Sequence, residues 1–102
     1  MKKITFIIFF LFAQIASAQV VINEIQISPI GERFIEIYNT GNSNINLTGW
    51  YIQRKTATGS SFSSLITSTQ LKDKIINSND YFMISRGQLA NSDVVIDNLT
   101  LT

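Results

Sequence analysis

The sequence predicts an all-β protein, and three observations point there. After residue 18, short runs rich in Val, Ile, Tyr and Phe alternate apolar with polar residues, and no apolar stripe at helical spacing develops. Between the runs lie clusters of Asn, Ser, Thr and Gly; Asn, Ser and Thr make up 27 of the 84 residues from Gln19 onward. Their side chains bond nearby backbone groups and so punctuate turns. Strands recurring at short spacing between such clusters are the pattern of a sandwich or barrel.

The elements follow in order. Residues 20–27 read as a first strand, with Ile25 and Ile27 alternating with Glu24 and Gln26, closed by Pro29 and Gly31. Residues 33–39 read as a second, with Ile35 and Ile37 on the inner face and Phe34, Glu36 and Tyr38 on the other. A turn around Gly41 leads to Ile45 and Leu47, which alternate with Asn44, Asn46 and Thr48 before Gly49. Residues 50–55 form a third strand, in which Trp50 shares a face with Ile52. Gly49 is expected to leave room for the Trp50 ring in the core, so that Trp50→Ala costs about 3–5 kcal/mol and unfolds the domain. A polar loop covers 56–64, and a weaker strand surrounds Leu65 and Ile66. Residues 74–76 and 81–85 are expected to form a hairpin through Asn77-Ser78-Asn79-Asp80. Residues 86–93 read as a loop with one helical turn near Leu89, and 94–102 as extended chain.

The first 18 residues have a different character. Lys2 and Lys3 precede an apolar run from Ile4 to Ile15, and Ala16-Ser17-Ala18 supplies small residues where a signal peptidase cuts. This is the three-part pattern of a secretory signal. The run of about twelve residues is shorter than the ~20 needed to span a bilayer. Cleavage is expected after Ala18, and the protein is expected to be exported: secreted, periplasmic or at the cell surface of a bacterium. No Cys lies at the cleavage site to carry a lipid anchor. The whole chain has 8 basic and 7 acidic residues; without Lys2 and Lys3, 6 basic face 7 acidic, a net charge of −1. That balance speaks against a strongly basic nucleic-acid binder.

Neither Cys nor His is present, which excludes disulfides, thiolate chemistry, Cys/His zinc sites and any triad with a His base. No Gly-x-Ser-x-Gly elbow, Ser-x-x-Lys motif, Gly-rich phosphate loop or calcium-loop spacing occurs. Glu24 and Glu36 fall on neighbouring strands and read as solvent-facing or cross-strand partners rather than an acid/base pair. Asn77, Asn79 and Asp80 read as a polar turn rather than cation ligands. Tyr38, Tyr51 and Tyr81 read as strand packing, with a sugar-stacking surface as the functional alternative. Asn39 is expected to cap the turn after its strand with its side-chain amide. Asn46-Leu47-Thr48 and Asn98-Leu99-Thr100 match the N-glycosylation pattern, which an Asn-rich chain generates by chance. The one basic grouping is Arg54-Lys55, with Arg33 and Arg86 as possible neighbours, so Arg54 and Lys55 are the candidate binding residues.

Three stretches together resemble the lamin tail domain, an immunoglobulin-like β-sandwich. They are Ile22-Asn23-Glu24-Ile25, then Phe34-Ile35-Glu36-Ile37-Tyr38-Asn39-Thr40-Gly41, then Asn46-Leu47-Thr48-Gly49-Trp50-Tyr51-Ile52. The strand Tyr81-Phe82-Met83-Ile84 after a polar turn fits the same order. In lamins the strand end matching Arg54-Lys55 is also basic. Domains of this family usually continue beyond the position of Leu101 with further strands, so the resemblance implies a sandwich incomplete at its C-terminus. The alternation of Leu99 and Leu101 with Thr100 and Thr102 agrees with an open strand, and predicts self-association through residues 94–102. The expected function is a non-catalytic, exported binding or adhesion module, with no cofactor and no metal, that contacts a protein or a surface glycan through the loops 40–44, 56–64 and 86–93. The alternatives are an accessory domain of a longer exported hydrolase or nuclease, and a plain structural spacer.

Overall fold

The computed structural model describes residues 19–101. The expected leader, residues 1–18, lies outside the described residues. The chain folds into eight short strands: β1 (Val20–Gln26), β2 (Phe34–Asn39), β3 (Ile45–Asn46), β4 (Ile52–Arg54), β5 (Ser63–Ile66), β6 (Ile75–Ile76), β7 (Tyr81–Ser85) and β8 (Val94–Val95). One helical turn, α1 (Ser68–Leu71), lies between β5 and β6. The principal sheet has the order β1-β2-β7-β8, antiparallel except for the parallel β7–β8 pair. Two ribbons, β3-β6 and β4-β5, complete an immunoglobulin-like sandwich.

The core lies between these layers, and period-two alternation puts it there. Ile35 stands opposite Ile84 and Ile37 opposite Phe82 in the β2–β7 register, and all four side chains are at most 5% exposed. Leu47, Ile66, Leu71 and Ile76 come down from the other layer and are at most 1% exposed. Side chains from the two inner faces interdigitate here, the packing that sets stacked sheets about 10 Å apart.

Asn39 ends β2 as an internal cap. It is fully buried, yet its amide donates to the Ser43 carbonyl at 2.8 Å and the Ile76 carbonyl at 3.2 Å, while its Oδ1 accepts the Gly41 N–H at 2.9 Å. One side chain thereby closes its own turn and links the principal sheet to the β3-β6 ribbon. The expected capping role holds, and the bond to Ile76 extends it across the sandwich.

Four expectations give way to the structure. Residues 74–76 and 81–85 are not a hairpin: β6 pairs with β3, and β7 pairs with β2. The polar stretch 77–80 carries the chain across from one layer to the other, with Asn79 at φ 52°, a left-handed conformation that Asn tolerates. Turn chemistry fixes a local bend, but it does not choose the partner strand. Second, Trp50 is 42% exposed, and the buried residue of the Leu-Thr-Gly-Trp stretch is Leu47. A Cβ at Gly49 would meet nothing within 4 Å, so the glycine is not there to make room. Its φ of +88° is the reason, because it is the third residue of a turn closed by the Trp50 N–H to the Leu47 carbonyl at 2.9 Å, the place where type II turns take Gly.

Third, residues 94–101 are not one extended strand, and Thr102 lies outside the described residues. After β8 the chain turns, with the Leu99 N–H on the Ile96 carbonyl at 3.1 Å, and Ile96, Leu99 and Leu101 are buried in the core. The alternating Leu99 and Leu101 are thus core residues, and the exposed edge in this stretch is the two-residue β8, where Val95 is 39% exposed. Fourth, the region near Leu89 makes a single turn, closed by the Ser92 N–H on the Leu89 carbonyl at 3.2 Å, and the helical turn lies at α1 instead. Thr67 there accepts the Gln70 N–H and the Gln70 side chain accepts the Thr67 N–H, a reciprocal capping box.

Candidate functional site

Two surfaces of the principal sheet stand out, one on each face. The outer face carries a polar groove of about 460 Å³ lined by Glu36, Tyr81, Asp80, Met83, Asn91 and Asp93, among others. Strand alternation aims its central residues: Glu36 stands opposite Met83, and Tyr38 opposite Tyr81. The two tyrosine rings lie 4.7 Å apart between centroids, tilted by 41°. Tyr81 remains 53% exposed and offers a ring face to solvent beside the groove.

The carboxylates of the groove are held in place before any ligand arrives. Asp93 Oδ2 accepts the Met83 N–H at 2.8 Å, while the Asp93 N–H donates to the Met83 carbonyl at 2.9 Å. Asp80 Oδ1 accepts the Tyr81 N–H at 2.8 Å, and Glu36 Oε1 accepts from the Asn23 amide at 2.8 Å. Each bond engages one oxygen of its carboxylate. The loop that brings Asp93 in is itself anchored at Ser85, fully buried, whose Oγ donates to the Gly87 carbonyl at 2.6 Å and meets Ser92 Oγ at 2.6 Å. Among the described residues, no group of three or more carboxylates converges closely enough to hold a metal ion. The acidic groups are spread along the groove, suited to hydroxyl, amide or ammonium donors.

The inner face is apolar and partly uncovered. A bulge between Ile22 and Glu24 puts Ile22 opposite Ile37 and Ile25 opposite Ile35. Two residues three apart would otherwise face opposite sides of a strand; the extra residue returns both to the inner face. Yet Ile22 is 59% exposed and Ile25 50%, because the facing ribbon stops short of β1. The resulting seam between β1 and β4 forms two adjoining apolar clefts, one bordered by Trp50 and Tyr51, the other by Ile27, Leu65 and Leu101.

Arg54 and Lys55 lie apart from the polar groove. Arg54 is half-buried on β4 and lines one end of the apolar seam, and the Lys55 ammonium sits 5.7 Å from the centroid of the Phe62 ring. Arg33 is buried, with its Nε donating to the Ile27 carbonyl at 2.7 Å, and its own carbonyl accepts the Arg86 N–H at 2.9 Å. Arg33 thus fastens the end of the first strand to the sheet rather than presenting a cation. Tyr51, 60% exposed, borders the seam and is separated from the Tyr38–Tyr81 pair by the thickness of the sheet. Asn46 Oδ1 accepts from both the N–H and the hydroxyl of Thr48, and Thr48 Oγ1 in turn accepts the Asp73 N–H at 2.9 Å, so this sequon serves as a turn that ties two loops.

The groove escapes sequence reasoning because Asp93 reaches it from a loop whose docking rests on the Ser85–Ser92 contact, which no local pattern announces. Its one legible signal is the alternation of Glu36 and Tyr38 on the polar side of β2.

The family model for the Lamin Tail Domain matches residues 13–101. No curated protein and no solved structure matches the chain. The order of the strands, the buried Asn39 turn and the Leu47–Trp50 turn are the places where the sequence resemblance was strongest, and the family match spans all of them: the chain belongs to the lamin tail domain family.

Proposed function

We propose that this chain is an exported, non-catalytic binding or adhesion module that contacts a protein or a surface glycan through the outer-face groove of its principal sheet. The observation that carries this reading is the groove itself: an exposed Tyr81 ring beside three carboxylates, each already oriented by a hydrogen bond. A ring face stacks on an apolar ligand face, and fixed acceptors select the donors beside it; groups oriented in advance lose little entropy on binding. Immunoglobulin-like sandwiches present such surfaces on a rigid frame without chemistry of their own. The sequence agrees, since it holds no His or Cys to act as base, nucleophile or soft metal ligand.

Binding of the labelled protein to intact cells and to an array of surface glycans tests the reading. Tyr81→Ala and Asp93→Asn should each lower binding at least about tenfold, which corresponds to ~1.4 kcal/mol. Equal binding by both variants and the parent protein would refute the role of the groove. N-terminal sequencing of the protein recovered outside the cytoplasm tests export; Gln19 is the expected first residue.

A further inference from the structure

We propose that a second copy of this chain covers the apolar seam, with the two β1 strands lying side by side about a two-fold axis. The proposal goes beyond the groove on the opposite face and does not depend on its ligand.

Three observations carry it. The first is area. Ile22, Ile25, Ile27, Trp50 and Tyr51 are between 42% and 60% exposed and border one continuous pair of clefts. Together they offer roughly 500 Å² of apolar surface, in the upper part of the range for the largest patch on a lone soluble domain. A standard interface buries ~800 Å² per partner, of which ~56–65% is apolar, so ~500 Å² is the apolar share of one such interface. The second is position. β1 is the terminal strand of the principal sheet, with no neighbour on its outer side among the described residues. Two copies of one edge and one apolar row are self-complementary under a two-fold, the commonest symmetry of soluble oligomers.

The third is charge. Among the residues that border the two clefts, Arg54 is the one charged side chain, and it lies at the far end from Trp50 and Tyr51. The net charge of the chain is +1 with Lys2 and Lys3 and −1 without them, so no strong field keeps two copies apart. The bulge that turns Ile22 and Ile25 inward also bends the edge, which limits open-ended growth of the sheet and favours a closed pair over a fibre. The other edge of the sheet, β8 in the 94–102 stretch from which the sequence predicts self-association, is two residues long, while β1 is seven residues long and carries the larger exposed apolar row.

Sedimentation velocity across the micromolar range, combined with cysteine cross-linking, tests the proposal. The parent protein should sediment as a dimer. Ile25→Lys places a charge in the middle of the seam and should raise the dimer dissociation constant at least about a hundredfold, or ~2.7 kcal/mol. Tyr81→Ala, on the other face, should leave the dimer intact. The chain has no cysteine, so single substitutions report cleanly. Among Asn23→Cys, Ile25→Cys and Ile27→Cys at least one should give a disulfide-linked dimer on oxidation, and Lys72→Cys should not; this readout stands even if Ile25→Lys fails to fold. A parent protein that stays monomeric throughout would overturn the proposal. So would an Ile25→Lys protein that still dimerises, or a monomer whose seam takes up a synthetic extended Val/Thr octapeptide, which would assign the seam to a strand from another protein.

Discussion

The β2–β7 half of the principal sheet and its β1 edge are built from the same kind of residue and end in opposite states. Ile35, Ile37, Phe82 and Ile84 are sealed at 0–5% exposure, while Ile22 and Ile25 on the adjoining strand, and Ile27 just past its end, stay 50–59% exposed. Both sets lie on the inner face, and Ile22 and Ile25 are cross-strand neighbours of Ile37 and Ile35. What differs is the layer opposite: Leu47, Ile66, Leu71, Ile76, Leu99 and Leu101 close over the centre, whereas over β1 the cover packs Val20 against the core and leaves Ile22 and Ile25 half open. Burial therefore follows from coverage by a second layer, and alternation alone measures only which face a residue is on.

Substitutions ranked by effect sharpen the contrast. Ile84→Ala, in the sealed half, should cost about 2–5 kcal/mol, read as a lowered midpoint in urea unfolding, because the cavity it leaves cannot collapse. Asn39→Ala should cost about 2–3 kcal/mol in the same assay, since it strands the buried carbonyl of Ile76 and frees the turn at Gly41. Gly49→Ala forces a side chain into φ +88° and should cost about 1–2 kcal/mol, although a Cβ there has open space around it. Trp50→Ala should cost only about 1–2 kcal/mol, read as a modest drop of the thermal midpoint in a dilute sample, since nearly half its surface is already in water.

Much of the fold was legible, and the residues show why. Ile35 and Ile37 announce their face by strict alternation, and both are buried. Asn39 before Thr40-Gly41 announces a side-chain turn, and it makes one. The capping box Thr67-Ser68-Thr69-Gln70 goes unread, because it sits beside Leu65 and Ile66 in a stretch that reads as strand, and β5 does end only one residue earlier. Trp50 misleads because ring size is a measure of how much a residue gains from burial, and the positive φ at Gly49 turns the chain before the ring can enter. The 77–80 crossover misleads because its residues specify a bend, whereas the pairing of β6 with β3 depends on Leu47, whose N–H meets the Lys74 carbonyl at 2.7 Å from far along the chain. The outer groove depends on the half-buried Ser92 meeting the buried Ser85, and a polar contact made by such packing leaves no periodic trace.

This domain holds its fold in the β2–β7 half, and the exposed β1 seam contributes little to it. The most direct test is urea unfolding of Ile84→Ala and Ile25→Ala side by side, in solutions dilute enough for the protein to be monomeric. Ile84→Ala should lose at least ~2 kcal/mol, and Ile25→Ala, whose side chain is already half in water, under about 1 kcal/mol. Equal losses from the two substitutions would contradict that division.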